Sequence, residues 1–176
     1  MNRRLVIKQV LIMAGGIALL PACVREEGQS TVSWKNIKLT LDQENFLADV
    51  AETLIPETDT PGAKKLNLHL FVLKMLDDCY SSVDQQLFLK GMSQLQDKSY
   101  DQFTKSYTKL SKRQQQEVLL QIQHDKSKSP ELDAFYKITK QQTINGYMNS
   151  KYVMTNLVKW ELVPGRYNGY FPVKSA

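Results

Sequence analysis

The sequence predicts an all-α protein: a single helical domain of about six helices with extended N- and C-terminal segments. Three observations lead there. Apolar residues recur at i, i+3, i+4 and i+7 through most of the chain beyond residue 40. The Ser/Thr-x-x-Gln pattern of a capping box stands before two of these runs, at Thr40–Gln43 and Ser111–Gln114. Strand-like alternation is weak and confined to residues 31–39 and 162–171.

Each element follows from its own residues. In the first, the Thr40 hydroxyl can accept from the Gln43 amide while Gln43 reaches back. Leu47, Val50, Ala51 and Leu54 form the apolar face, and Pro56 marks the end. Residues 66–76 are apolar nearly all round, as a central buried helix requires. Phe88, Met92 and Leu95 supply the third face. Ser111 and Gln114 start the fourth, whose face is Val118, Leu119 and Ile122. Pro130 suits the first turn of the fifth. Its face is Leu132, Phe135, Tyr136, Thr139, Thr143, Gly146 and Tyr147. Val153, Leu157 and Trp160 outline a short sixth face.

The chain has 176 residues, a formal net charge of +5, two Cys and two His. That length builds one core and leaves little room for a dinucleotide-binding domain beside a substrate domain. Two Cys exclude a disulfide scaffold and a four-Cys zinc site.

Residues 1–22 read as an export signal, residues 23–38 as a tether and residues 39–176 as the helical domain. Arg3, Arg4 and Lys8 charge the first segment, and no acid precedes Glu26. The apolar run over residues 10–20, at about 1.5 Å per residue, covers only about half of a ~30 Å hydrocarbon core. Asn2-Arg3-Arg4-Leu5-Val6-Ile7-Lys8 resembles the twin-arginine export signal; plain export with two adjacent Arg is the alternative. Leu20-Pro21-Ala22-Cys23 resembles a bacterial lipobox, in which Cys23 becomes the lipidated N-terminus. The alternative is a Cys beside an ordinary cleavage site. Arg3, Arg4 and Lys8 leave with the signal, so the positive charge is largely an address and is no sign of nucleic acid. Cys79 then remains as a lone thiol in an apolar helical pattern. Its plain reading is a buried small hydrophobe; an intermolecular disulfide is the other.

Cofactor and catalytic motifs are missing: no GxGxxG, P-loop, CxxC, CxxCH or HExxH occurs. His69 and His124 stand far apart. His69 reads as a structural or partly exposed histidine, His124 as a cation suiting a helix C-terminus. The adjacent acids Asp77 and Asp78 point in different directions on a helix and read as solvated. Lys and Gln over residues 94–116 alternate with acids, the pattern of a wet helical surface.

Two loops stand out. Ile55-Pro56-Glu57-Thr58-Asp59-Thr60-Pro61-Gly62-Ala63 ends one helix and leads to the next. Asp59 and Thr60 can bond neighbouring amides; the loop is either a rigid connector or a partner contact. The second runs Val163-Pro164-Gly165-Arg166-Tyr167-Asn168-Gly169-Tyr170-Phe171-Pro172. Pro164-Gly165 suits a type II turn and Asn168-Gly169 another with positive φ. Arg166, Tyr167, Tyr170 and Phe171 belong to the types enriched at interface hot spots, and equally could fold back on the core.

These segments together resemble the gluconate 2-dehydrogenase subunit 3 family. The resemblance is carried by the Arg3-Arg4 signal, TLIPETDTPGA at residues 53–63, INGYMNS at 144–150 and LVPGRYNGYFP at 162–172. It implies a non-catalytic small subunit accompanying a larger FAD-binding flavoprotein of the glucose–methanol–choline type, which oxidises a sugar or sugar acid. The small subunit would assist maturation, export or assembly of that partner. FAD is then expected in the large subunit, haem c in a possible third, cytochrome c subunit, and no cofactor in this chain. The expected location is the periplasmic side of a bacterial membrane, held by lipid on Cys23. Candidate partner contacts are Pro56, Asp59, Thr60, Pro61 and Gly62, with Pro164, Gly165, Arg166, Tyr167, Tyr170 and Phe171. The rival reading is a stand-alone envelope lipoprotein acting as a binding module.

Overall fold

The structure, a computed structural model, describes residues 28, 30–158, 160–161, 165, 168–170 and 172. Arg3, Arg4, Cys23, Pro164, Arg166, Tyr167 and Phe171 lie outside the described residues. The protein is helical, and no strand occurs among the described residues. Among the described residues five α-helices follow in order: α1 Leu41–Leu54, α2 Leu68–Cys79, α3 Ser82–Phe103, α4 Lys112–His124 and α5 Pro130–Met148. A 3₁₀ turn, Tyr107–Lys109, precedes α4, and a π-helical turn, Val153–Leu157, closes the series.

Local chemistry sets the starts. Both capping boxes form: Thr40 with Gln43 before α1, and Ser111 with Gln114 before α4. Ser81 caps α3, and Ser129 caps α5 with Pro130 in the first turn. Among the described residues two non-glycine ones take positive φ, Asn67 before α2 and Thr104 after α3. Asn tolerates that region; a β-branched Thr there is uncommon.

The predicted faces turn inward. Leu47, Val50 and Ala51 of α1 are buried, as are Phe88, Met92 and Leu95 of α3, and Val118, Leu119 and Ile122 of α4. Phe135 joins the layers: its ring lies 4.9 Å from Phe88 and 6.2 Å from Phe46, and Phe46 meets Tyr107 edge-on at 5.3 Å. Such pairs contribute roughly 0.5–1.5 kcal/mol each beyond burial. Tyr107 is fully buried; its hydroxyl donates to Thr53 Oγ1 at 3.0 Å, and burial pushes its pKa well up. Gln115, within the stretch read as a wet surface, is instead buried and donates from Nε2 to the Tyr107 carbonyl at 2.9 Å. Helix α3 crosses α5 where Gly91 faces the Glu131 carbonyl.

Three further expectations change. Leu157 and Trp160 are both 55% exposed and only Val153 of the sixth face is buried. The reason is the i→i+5 bond from Val158 N–H to the Val153 carbonyl at 3.0 Å, which breaks the 3.6-residue period. Cys79 is exposed. The buried stripe of α2 is Leu68, Val72, Leu73, Leu76 and Asp77, and Cys79 at the last position falls beside it. Asp77 itself is buried while Asp78 is exposed and pairs with Lys74 at 2.8 Å.

Asp77 thereby holds down the N-terminal segment. Its carboxylate accepts from the backbone N–H of Lys35 at 2.9 Å, Asn36 at 2.6 Å and Ile37 at 3.1 Å. Ile37 and Leu39 are buried in the same core. Nearby, buried Glu44 accepts from Thr31 N–H at 2.6 Å, and Leu41 N–H donates to the Gly28 carbonyl at 2.8 Å. Gly28 and residues 30–40 therefore sit at one end of the bundle, beside the start of α1 and the end of α2.

Candidate partner-binding site

The opposite end carries the loop that joins α1 to α2. Pro56 stops α1 because it has no N–H to give, and Ala63 N–H returns to the Ile55 carbonyl at 2.9 Å, closing the loop at its base. Within it, Thr58 N–H donates to the Thr60 carbonyl at 3.0 Å, and Thr60 N–H lies 3.5 Å from Thr58 Oγ1. The side chain that shapes the turn is thus Thr58; the expectation had placed that role on Asp59 and Thr60.

Glu52, on the last turn of α1, is the peg. Its carboxylate accepts from Glu57 N–H at 3.0 Å and from Lys64 N–H at 2.8 Å, one on each side of the loop. Gly62 is buried beneath it: a Cβ there would lie 2.5 Å from Glu57 N and 2.6 Å from Glu52 Oε1. Only glycine fits, so Gly62 shapes the loop from below and is not itself a contact surface. Two ion pairs brace the flanks, Lys64 with Asp49 and Lys65 with Glu57 at 2.8 Å. The Lys65 hydrogen bond and charge hold the exposed Glu57 carboxyl below its ordinary range.

The INGYMNS segment meets this loop. Tyr147, near the end of α5, donates its hydroxyl to Thr60 Oγ1 at 3.2 Å, across 87 positions of sequence. Tyr147 also packs with Ile55 and Leu66 on the buried Ala51, Ala63 and Leu68. The residue before it, Gly146, faces the Phe71 ring, 2.8 Å from where a Cβ would stand. Two segments distant in sequence thus build one rigid surface. From it Pro56, Glu57, Thr58 and Asp59 project into solvent, while Thr60 and Pro61 are half-buried.

The decisive comparison concerns these same residues. The sequence profile described as "Gluconate 2-dehydrogenase subunit 3" matches residues 41–165, well over half of the chain. The chain belongs to the gluconate 2-dehydrogenase subunit 3 family. Membership implies a subunit of a multi-subunit dehydrogenase complex. Searches of curated proteins and of solved structures returned no significant match.

The remaining candidate residues of this family member divide. Gly165 and Tyr170 of the closing segment are exposed, Tyr170 at 97%. The two histidines do not come together. His124 is exposed at the last position of α4. His69 is half-buried near the start of α2, with its Nδ1 enclosed and without a hydrogen-bond partner. Burial lowers the His69 pKa, opposed by the Glu44 charge and reinforced by Lys64. Among the described residues no cluster of three or more His, Cys, Asp or Glu is arranged to hold a metal. No helix among them is long and apolar enough to cross a membrane.

A groove of about 270 Å³ opens beside the loop, lined by Asp49, Glu52, Thr53, Pro56, Lys64, Lys112, Gln115 and Gln116. Its walls are the end of α1, the loop and the first turn of α4. Sequence reasoning missed this groove and its peg, because no spacing rule links Glu52 to amides five and twelve residues later.

Removing the peg is expected to loosen the loop while sparing the core. Glu52→Ala leaves two amides without their acceptor, a cost of about 1–2 kcal/mol for a half-exposed site. Hydrogen exchange should accelerate at Glu57 and Lys64 and stay unchanged in α3 and α5. Equal acceleration in all helices would show that Glu52 supports the whole domain instead.

Proposed function

We propose that this chain is the non-catalytic small subunit of a periplasmic, membrane-associated, FAD-dependent dehydrogenase of the glucose–methanol–choline type. The complex oxidises a sugar or sugar acid. The small subunit assists maturation, export or assembly of the flavoprotein, which meets the loop over residues 56–62 and the segment over residues 164–171. Twin-arginine export through Arg3 and Arg4 suits a partner carried across already folded with its FAD. Lipid on Cys23 anchors the subunit, and a cytochrome c subunit with haem c receives the electrons.

One observation carries this reading. The two segments joined by the Tyr147–Thr60 hydrogen bond hold an exposed loop in one conformation, braced from inside by Glu52. A stiff loop loses little conformational entropy on association, so its contacts convert more fully into affinity.

The test is co-expression with the flavoprotein and affinity capture through a tag on the small subunit. Asp59 is exposed, so Asp59→Arg should leave the melting temperature unchanged. Loss of a hot-spot contact of about 2 kcal/mol should weaken capture by roughly thirtyfold. Undiminished capture with Asp59→Arg, and again with Tyr167, Tyr170 and Phe171 all replaced by Ala, would overturn the assigned surface. A stable monomer that captures no flavoprotein at all would favour the stand-alone binding module.

A further inference from the structure

We propose that the end of the bundle carrying residues 28–40 and Cys79 faces the lipid surface, and that the loop over residues 56–62 stands at the far end, turned away from it. This orientation rests on the lipidation of Cys23 proposed above, and it adds which face of the domain meets the membrane.

The first argument is reach. Five residue steps separate Cys23 from Gly28. A fully extended chain covers at most about 18 Å in that distance. From Gly28 onward the chain is fastened to the domain. The Gly28 carbonyl accepts from Leu41 N–H, Thr31 N–H donates to Glu44, and Lys35, Asn36 and Ile37 donate to Asp77. The lipid is therefore tied to the end where α1 begins and α2 finishes. The 14 residues of α1 carry the chain about 20 Å along the helix axis before the loop begins.

The second argument is surface chemistry. Lys35 and Lys38 are exposed at the anchored end. Among the described residues neither has an acidic partner within ion-pair distance. Val32 and Leu41 are exposed apolar side chains of the same end. Free cations beside apolar groups suit anionic headgroups. Three acids also stand there: Asp78 is paired with Lys74, Asp84 in the first turn of α3 accepts from the Ser81 hydroxyl at 2.7 Å, and Asp42 is exposed at the start of α1. At the loop end Lys64 pairs with Asp49 and Lys65 with Glu57, exposed Asp59 has no such partner, and neither has the exposed Lys112 of the neighbouring groove wall.

Cys79 provides the reporter. It is exposed at the end of α2, and with Cys23 consumed by lipid it is the one thiol left to label. The full-length protein, taken from membranes of an expressing bacterium, is reconstituted into phosphatidylethanolamine–phosphatidylglycerol vesicles containing a headgroup-depth spin-labelled lipid. One sample carries a maleimide fluorophore on Cys79. The other carries it at the loop tip in the Asp59→Cys, Cys79→Ser variant. The lipid should quench the Cys79 fluorophore several-fold more than the loop fluorophore. Protein that floats with the vesicles but shows equal or reversed quenching would overturn the orientation and leave the lipid anchor standing. Protein found only in the soluble fraction, with unmodified Cys23 by mass spectrometry, would overturn the anchor and the orientation together.

Discussion

Gly91→Ala should destabilise the domain by about 3 kcal/mol, the upper part of the range for overpacking a core. The added Cβ would lie 2.1 Å from the Glu131 carbonyl oxygen and 2.7 Å from both Glu131 C and Phe135 Cβ. The obstacle is backbone in the first turn of α5, so no side-chain rotation relieves it. Two effects compete, because Ala in a helix interior is favoured over Gly by about 1 kcal/mol. Without the crossing helix the same change would stabilise α3. The predicted sign therefore depends on the α3–α5 contact alone. A fall in melting temperature of roughly 6–12 °C is expected for a domain of this size. Gly146→Ala is the control, for there the nearest group is the Phe71 ring, which can shift. A stabilised Gly91→Ala protein would mean that α3 and α5 do not cross at this distance.

Asp77→Ala should cost about 3 kcal/mol, because three backbone amides of one segment lose an ionised acceptor together. The effect is localised, and amide exchange over residues 35–37 should approach the rate of an open chain. It also has a pH signature. Burial raises the Asp77 pKa, and the N–H groups of Lys35, Asn36 and Ile37 lower it by more, so the folded value falls below the ordinary one. A carboxyl depressed on folding contributes stability above its unfolded pKa of about 3.9. That contribution is lost as pH drops through the lower folded value. The wild type should therefore lose stability on acidification below about pH 4 more steeply than Asp77→Ala. Parallel acid limbs in the two proteins would show that Asp77 does not titrate with folding.

The sequence made visible what is decided within a few residues. Thr40 and Ser111 could be read as caps because the partner Gln lies three positions on. The faces of α1, α3, α4 and α5 could be read because a helix repeats every 3.6 residues. The loop over residues 56–62 was visible through its Pro and Gly.

What could not be read depends on distant backbone. Asp77 looks like its neighbour Asp78, and only one bonds the amides of residues 35–37; amides carry no sequence signature. Glu52 looks like any acid on a wet helix turn until Glu57 and Lys64 fold back over it. The meeting of Tyr147 with Thr60 joins two segments that could each be recognised alone, but nothing local foretells their contact. The exposure of Cys79 turns on a single step around α2, finer than an apolar pattern resolves.

The separation of Asn36 from Asp77, 41 positions, also bears on the order of events during synthesis. Residues 35–37 leave the ribosome before α1, yet their acceptor is made only when α2 is nearly complete. Closing so long a loop carries an entropic cost that nearby helix contacts do not. Residues 35–37 are therefore fastened late, after α1 and α2 have begun to take shape.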